Sequence, residues 1–489
     1  MAAVNAKDGT ISHATVIVWF RHDLRLADNA ALTEATATGT PILPLYILDD
    51  QTPGRFRAGG ASRWWLHGSL SALNADLLER GGALCLRRGA APEMIAALLN
   101  ETKASAVHAA RLYEPWDATL AKAVADICKA KGAAFRQFGG HLLFEPEDIH
   151  TADGASYRVF TPFWKACRAK HPPRAPLPAP NKISFAHATS EPLASWKLLP
   201  AKPDWACGLR ATWQPGETAA RKRLAHFLDH HLANYADERS RLDLPATSLL
   251  SPSLHFGELS PNQIWHAVNA AKDANGNTTR GAEAYLREIG WREFCHHLLF
   301  HVPKIAVQPL RPEFENFPWR DDEAALGAWQ RGETGYPIVD AALRELWQTG
   351  FMPNRARMVV ASFLVKHLLV PWQRGADWFL DTLVDADLAN NQANWQWVAG
   401  SGADAAPYFR IFNPVLQGQK FDPSGDYVRR FVPELAKLSA SDIHAPWDAP
   451  GLALAEAGIT LGETYPRPLI EHGRARKRAL ASFETMKQS

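Results

Sequence analysis

The sequence predicts a doubly wound α/β domain with a parallel sheet at the N-terminus and an all-α domain at the C-terminus. Short β-rich runs alternate with amphipathic helical stretches from residue 15 to about residue 138, which is the pattern of a parallel α/β sheet. Beyond Glu217, apolar residues recur at helical spacing almost to the end of the chain. These two periodicities divide the chain into two kinds of domain.

The N-terminal alternation predicts five strands and the helices between them. We expect strands at 15–20, 42–48, 83–87, 106–109 and 134–138, with helices near 28–38, 62–80, 91–101 and 116–131. The turn after the first strand, RHDLR, lacks the Gly-x-Gly-x-x-Gly that lets a backbone approach a pyrophosphate. A dinucleotide site is therefore not expected in this domain.

A proline-rich stretch separates the two periodic regions. Nine prolines fall between Pro172 and Pro215 and no apolar period is sustained, so almost no helix is expected over 171–216. We therefore predict the α/β domain over 14–145, an interdomain connection over 146–216 and the helical domain over 217–489. In the last of these, Leu224, Phe227 and Leu228 mark the buried stripe of the first helix, and the capping box SPNQ predicts a helix start at Ser260.

The composition narrows the class of protein. The 489 residues are 46% apolar and 21% charged, which disfavours disorder and membrane proteins. Lys and Arg total 53 against 51 Asp and Glu, so a polyanion partner would need a local basic patch. The five cysteines form no CxxC pair, and the apolar run 16–20 is too short for a signal peptide or a spanning helix. We expect a reduced, cytoplasmic protein.

Two segments concentrate polar groups that could bind a ligand. The run TSLLSP over 247–252 places hydroxyls and backbone N–H groups before a proline that can open a helix. This arrangement fits either a phosphate site or an ordinary loop with a helix cap. Asp385 and Asp387 precede several Asn and Trp residues, and could act as acid and base, as hydrogen-bond acceptors, or as a solvated helix start. No histidine lies at ligand spacing, so no metal is expected.

A third segment combines an acid, an aromatic ring and a cation on one helix face. Glu288, Trp291 and Arg292 follow i, i+3, i+4 spacing. This face could hold a base by stacking and by contact with a phosphate. The alternative is an amphipathic core helix with an ion pair between Glu288 and Arg292.

Several motifs in order carry a resemblance to a known family. They are VWFRHDLRLADN over 18–29, YRVFTPF over 157–163, FGELS over 256–260, WREF over 291–294, TGYP over 334–337 and DAAPYFR over 404–410. With these motifs the chain resembles the photolyase/cryptochrome flavoproteins over nearly its whole length. The resemblance implies an α/β antenna domain and a noncovalent FAD, bent into a U in the helical domain, whose reduced form gives an electron to a DNA photolesion under blue light.

The resemblance assigns roles to the cofactor segments. It implies that the diphosphate is held by Tyr235, Thr247, Ser248, Leu249, Leu250 and Ser251. Asp385 and Asp387 would accept hydrogen bonds from the flavin ring and ribityl groups, with Arg357 as the partner of Asp385. Asn391 would face flavin N5, where plant cryptochromes have an acid, so Asn391 favours repair over a cryptochrome-like light receptor.

The resemblance also assigns the lesion site and an electron path. Glu288 would hydrogen-bond a thymine edge, Trp291 and Trp397 would form an apolar wall, and further DNA contacts would come from Arg239, Arg292, Asn354, Arg355 and Gln417. Asn354 and Met358 stand where (6-4) photolyases have a catalytic histidine, which favours cyclobutane pyrimidine dimers. The electron path would run from Trp319 at the surface through Trp372 to Trp395 at the flavin.

The subgroup and partners complete these expectations. The segments 59–67 and 394–400 are similar to bacterial class III enzymes, which favours methenyltetrahydrofolate over deazaflavin as the antenna chromophore, with Glu145 as a contact. The iron-sulfur branch needs four cysteines in the helical half, where only Cys295 lies. We expect UV-damaged DNA as the partner, no membrane association and a monomer.

Overall fold

The computed structural model describes residues 15–405, 407 and 410–488, so the predicted domain limits at 14 and 489 and part of the DAAPYFR motif lie outside the described residues. The N-terminal domain is a parallel five-stranded sheet in the order β3-β2-β1-β4-β5. Its strands are β1 (Val16–Phe20), β2 (Ile42–Leu48), β3 (Cys85–Arg88), β4 (Ala106–Ala110) and β5 (Ala134–Phe138). The order reverses direction between β1 and β4, which makes the sheet doubly wound and confirms the predicted fold class.

Helices cover both faces of this sheet. They are α1 (Ala30–Ala37), α2 (Gly60–Leu78), α3 (Ala91–Thr102) and α4 (Asp117–Ala130). Alternate residues of β1 belong to opposite apolar clusters, Val18 with α1 and α2, and Ile17 with α3 and α4. Such two-sided burial explains the continuous apolar sequence of β1. The third strand begins later than predicted, because the Leu84 N–H is bound by the Asn74 side chain at 2.9 Å.

The connection contains more structure than its prolines predict. It holds α5 (Phe160–Ala169) and, within the stretch expected to be non-helical, the short helix α6 (Cys207–Thr212). The backbone at 184–186 pairs with Ile42 at the start of β2, and the Trp213 indole donates to the Thr349 carbonyl at 2.7 Å. The expectation of almost no helix over 171–216 has its exception at 207–212, where burial of Leu209 and Trp213 supplies the stability that the local sequence lacks.

The C-terminal domain is helical, as predicted. Its helices are α7 (Glu217–His230), α8 (Tyr235–Glu238), α9 (Ser251–His255), α10 (Pro261–Ala274), α11 (Thr279–His301), α12 (Glu323–Arg331), α13 (Pro337–Thr349), α14 (Asn354–Ser362), α15 (Trp372–Thr382), α16 (Leu388–Ala399), α17 (Pro414–Phe421), α18 (Asp426–Phe431), α19 (Gly451–Ala457) and α20 (His472–Gln488). The predicted capping box at Ser260 is present at the start of α10. A π-helical turn, Phe363–Leu368, follows α14 directly. In the part of the chain that the structure describes, no helix combines the length and apolarity needed to cross a bilayer.

The loop after β1 joins the two domains. The Leu24 N–H donates to the Phe256 carbonyl at 3.1 Å, and the Arg25 guanidinium donates to the Gly257 carbonyl at 2.8 Å. A Cβ at Gly257 would lie 2.0 Å from the His22 carbonyl oxygen, so only glycine permits this approach. The VWFRHDLRLADN motif thus fixes the position of α9, which contributes to the site described next.

Candidate functional site

A cavity of about 530 Å³ opens in the helical domain, within the range of small-molecule and cofactor sites. All ten residues assigned to the cofactor lie in its wall: Tyr235, Thr247, Ser248, Leu249, Leu250, Ser251, Arg357, Asp385, Asp387 and Asn391. They come from segments up to about 150 residues apart, brought together by α8, α9, α14 and α16. The cavity therefore gathers the two polar segments that the sequence analysis singled out.

The loop before α9 presents its hydroxyls to this cavity. Leu249 has φ of 52°, a left-handed conformation that turns the chain sharply before Ser251. The Tyr285 hydroxyl donates to Ser248 Oγ at 3.0 Å, and Ser251 Oγ donates to Asp385 Oδ2 at 2.6 Å. The loop is thus hydrogen-bonded to the acidic segment through Ser251 and Asp385. It is part of the cavity wall and not an ordinary capped surface loop.

Asp385 is held by the expected partner. Arg357 Nη2 donates to both carboxylate oxygens at 2.9 and 2.7 Å, while Arg357 Nε donates to the Met352 carbonyl at 2.7 Å. Only 3% of the Asp385 side chain is exposed, against 26% of Arg357. Because both carboxylate oxygens are hydrogen-bonded, the Asp385 side chain is held in one orientation in the cavity wall, where it can accept hydrogen bonds.

Asp387 caps α16 and faces histidines. Its Oδ1 accepts the Asn390 backbone and side-chain N–H groups at 2.8 and 2.7 Å. Its Oδ2 lies 3.3 Å from His296 Nε2 and 3.7 Å from His255 Nδ1. Burial favours a raised pKa, yet the contacts with His296 and His255 hold the pKa of Asp387 well below its usual range. The helix start is real, but it is buried rather than solvated.

Tertiary structure places histidines beside Asp387 that sequence spacing could not reveal. Ligand atoms of His141, His296 and Asp387 all lie within 4.8 Å of one another. The Arg292 guanidinium, however, donates to His141 Nε2 at 3.0 Å, and its permanent positive charge opposes a cation there. Burial, aided by the charge of Arg292, lowers the pKa of His141 well below its ordinary value, so His141 is neutral.

The structure decides between the two interpretations of the charged residues on α11. Arg292 donates to the His141 carbonyl at 2.9 Å and lies 3.3 Å from Glu293, buried at the domain interface. Glu288 is paired instead with Arg239, and about a quarter of each side chain is exposed. The alternative interpretation, an ion pair between Glu288 and Arg292, is therefore wrong, because the buried acceptors of the α/β domain satisfy Arg292 and leave Glu288 at the cavity mouth.

Most residues assigned to the lesion lie around that mouth. Trp291 stacks on Phe160 of α5 with centroids 3.8 Å apart and planes 7° apart, and Arg355 lies 4.3 Å over the ring of Phe421. The assigned residues that line the cavity are Arg239, Glu288, Trp291, Arg292, Asn354, Arg355, Met358 and Trp397. Gln417 is not among the lining residues; it lies on α17 with Oε1 buried.

Of the three tryptophans of the predicted electron path, the two inner ones are buried and the outer one is partly exposed, as the predicted order requires. Trp395 lines the cavity and is buried, Trp372 is buried in the same apolar cluster, and Trp319 packs against this cluster while partly exposed. A Cβ at Gly375 would lie 2.1 Å from the Trp395 ring, so glycine lets α15 approach this tryptophan. The order from cavity to surface supports the path, which stays a prediction.

The antenna residue Glu145 is engaged on the α/β domain. Its carboxylate accepts from Arg111 at 2.9 Å and from the Tyr113 hydroxyl at 2.7 Å, with about a third of the side chain exposed. Sequence reasoning also missed cavity residues, including His255, Tyr285 and Asn390. His255 directly precedes the FGELS motif, and Asn390 lies between the assigned Asp387 and Asn391, so proximity to known motifs was the available signal.

Comparison with known proteins identifies the relatives of this chain. Residues 16–181 match the family described as DNA photolyase, and residues 285–485 match the FAD binding domain of DNA photolyase. A deoxyribodipyrimidine photo-lyase of Agrobacterium fabrum is 50% identical over 484 residues, which cover 98% of this chain and 100% of the relative. Cryptochrome-1 of Arabidopsis thaliana is 38% identical, with 96% and 70% covered.

Solved structures agree with these sequence matches. The crystal structure of a bacterial class III photolyase from Agrobacterium tumefaciens superimposes with a TM-score of 0.94 at 49% identity, covering 99% of this chain and 100% of that one. A cryptochrome of Synechocystis superimposes with a TM-score of 0.86 at 30% identity, covering 96% and 99%. The family matches and the full-length similarity in sequence and structure lead to one conclusion: the chain belongs to the photolyase/cryptochrome family.

Proposed function

We propose that this protein is a light-driven DNA repair enzyme that splits cyclobutane pyrimidine dimers with an FAD bound in the cavity. The observation that carries the proposal is the single cavity that joins the cofactor residues around Asp385 to the lesion residues around Glu288. Its supports are the 50% identity to a photo-lyase and the more distant similarity to cryptochromes.

The cavity residues fit a flavin dinucleotide. Hydroxyls and backbone N–H groups over 247–251 suit a diphosphate, and the fixed carboxylates of Asp385 and Asp387 suit the N–H and hydroxyl groups of flavin and ribityl. The Asn391 amide lines the same wall and donates to the Ala376 carbonyl at 3.0 Å. A reduced FAD in this place would supply the electron that opens the cyclobutane ring.

The residues at the mouth then bind and orient the lesion. Trp291, backed by Phe160, offers a rigid apolar face, and Glu288 offers a carboxylate to a thymine edge. The dimer must leave the duplex to reach them, at a cost of a few kcal/mol that is smaller for a damaged pair. Asn354 and Met358 provide no acid–base histidine, which supports cyclobutane dimers rather than (6-4) lesions as substrate.

The remaining assignments belong to the same proposal. The chain would act as a cytoplasmic monomer of the class III type, with methenyltetrahydrofolate as antenna and Glu145 as a contact. The electron path from Trp319 through Trp372 to Trp395 would reduce the flavin in light. The similarity to a bacterial class III photolyase supports the class III type, and the sequence motifs support the antenna contact and the electron path.

The decisive experiment measures light-dependent loss of dimers from irradiated DNA by the purified, reduced holoenzyme. Repair in light and its absence in the dark are expected, with no loss of (6-4) products. A flavin-containing protein that leaves dimers unchanged in light would favour the cryptochrome-like receptor. A protein that binds no flavin would exclude both functions.

A further inference from the structure

The last helix of the chain carries a concentrated positive charge outside the cavity. Over residues 474–478, four of five residues are basic and none is acidic, although the whole chain has a net charge of only +2. Ala475 and Ala479 are buried against the domain, which turns the long cations outward. We call Arg474, Arg476 and Lys477, all exposed, the basic face of α20.

Among the described residues, the three cations of the basic face form no ion pair, although the charge of Glu471 interacts with that of Lys477. In the described part of the chain, no carboxylate lies within 4.0 Å of the nitrogen atoms of these three side chains, whereas most exposed arginines elsewhere have such partners. Of the neighbouring acids, Glu471 accepts the backbone N–H groups of residues 473 and 474, and Glu484 is paired with Lys487. One acid beside three cations leaves the face with a net positive charge.

A series of contacts links α20, the helix that carries this face, to the cavity mouth through Arg410 and the π-helical turn. Arg239 and Arg355 line the mouth, and Arg410 lies close enough to lower the pKa of Arg355 together with burial and Arg239. In the π-helical turn, the Lys366 ammonium donates to the Arg410 carbonyl. The backbone carbonyl of His367, the next residue of that turn, accepts from the Arg478 guanidinium of α20.

We propose that the basic face of α20 binds backbone phosphates of duplex DNA beside the lesion, so that the binding surface extends from the cavity mouth to the last helix. The inference rests on the proposed function and adds to it a second contact area. Residues 474 and 477 are about 4.5 Å apart along a helix, between one and two of the 3.4 Å steps of one DNA strand. Long side chains on this face can therefore contact two or three successive phosphates.

The test uses the holoenzyme with Arg474→Gln, Arg476→Gln and Lys477→Gln combined, leaving Arg478 and its contact with the π-helical turn intact. Dissociation constants are measured against sodium chloride concentration for a dimer-containing duplex of about 25 base pairs. Each lost phosphate contact removes about 0.9 from the slope of log affinity against log salt, so the slope should become shallower by about 2 to 3. Flavin content and melting temperature should be unchanged.

A matched control removes the same charge from the α/β domain. Lys103, Lys129 and Lys131 are exposed and have no carboxylate within 4.0 Å among the described residues, and their replacement by Gln should change the slope by less than about 0.5. A second control uses a dimer in a single strand of about five nucleotides, which lacks the flanking duplex that the proposal assigns to α20. Here the triple variant and the unaltered protein should bind equally.

The outcomes separate this inference from the proposed function. If the unaltered protein binds dimer-containing duplex with a steep salt dependence and the triple variant does the same, the inference is overturned while the function stands. If the variant keeps its DNA affinity but loses binding to vesicles of anionic lipid, the face serves a membrane surface and the inference is again overturned. If the unaltered protein does not prefer dimer-containing DNA, the proposed function itself fails.

Discussion

Replacing Arg357 with methionine tests the ion pair that fixes the Asp385 carboxylate in the cavity wall. The substitution keeps an apolar side chain of similar length but leaves Asp385, 3% exposed, with Ser251 as its remaining hydrogen-bond donor. Removing one partner of a buried pair costs about 3–5 kcal/mol. Because 26% of the Arg357 side chain is exposed, we expect the lower value of about 2–3 kcal/mol.

The assay is thermal unfolding together with bound flavin per protein. At about 2–4 °C for each kcal/mol in domains of this size, the melting temperature should fall by about 5–10 °C, with loss of flavin. The control is Arg55→Met, which removes a pair with Asp377 whose side chains are 55% and 49% exposed, and should cost at most about 1 kcal/mol.

A double variant decides whether the pair itself is responsible. Arg357→Met combined with Asp385→Asn should cost less than the sum of the single changes, because the unpaired buried carboxylate is no longer present. Additivity within about 0.5 kcal/mol, or a melting temperature for Arg357→Met equal to that of the unaltered protein, would refute the argument that this contact stabilises the site.

Three further predictions concern the lesion, the electron path and acid stability. Glu288→Ala should weaken dimer binding by about 1–3 kcal/mol and lower repair per photon with unchanged flavin content, whereas unaltered repair would leave Glu288 as only the surface partner of Arg239. Trp319→Phe should slow photoreduction of the flavin but leave repair by already reduced enzyme intact; equal photoreduction rates would point to another route. Burial lowers the pKa of His367 to about 3, so below pH 6.5 the unfolded state binds the proton that the folded state excludes, and stability decreases as pH falls. His367→Gln should therefore reduce the loss of unfolding free energy between pH 7.5 and 5 by about 2 kcal/mol, and an equally steep loss in denaturant titrations would contradict this.

The sequence by itself determined the fold class and most of the cavity wall. Continuous apolar runs such as residues 16–20 are typical of strands buried on both faces of a covered parallel sheet, and all five predicted strands formed, with only the start of the third displaced by two residues. The cofactor segments around Ser251 and Asp385 carry dense polar groups in short runs, so their motifs identified them before any contact was known. Local pattern and motif are enough when the chemistry lies in consecutive residues.

Only the tertiary structure decided which charged groups pair. Spacing along α11 allowed Glu288 to reach Arg292, but the buried oxygen and nitrogen acceptors of His141, 151 residues away, bind Arg292 and free Glu288 for Arg239. The same packing brings His296 and His141 to Asp387, which no sequence spacing indicated. Ion pairs and pKa values depend on distance and burial in three dimensions, because the energy of a charge is set by its nearest dipoles and by its exclusion from water.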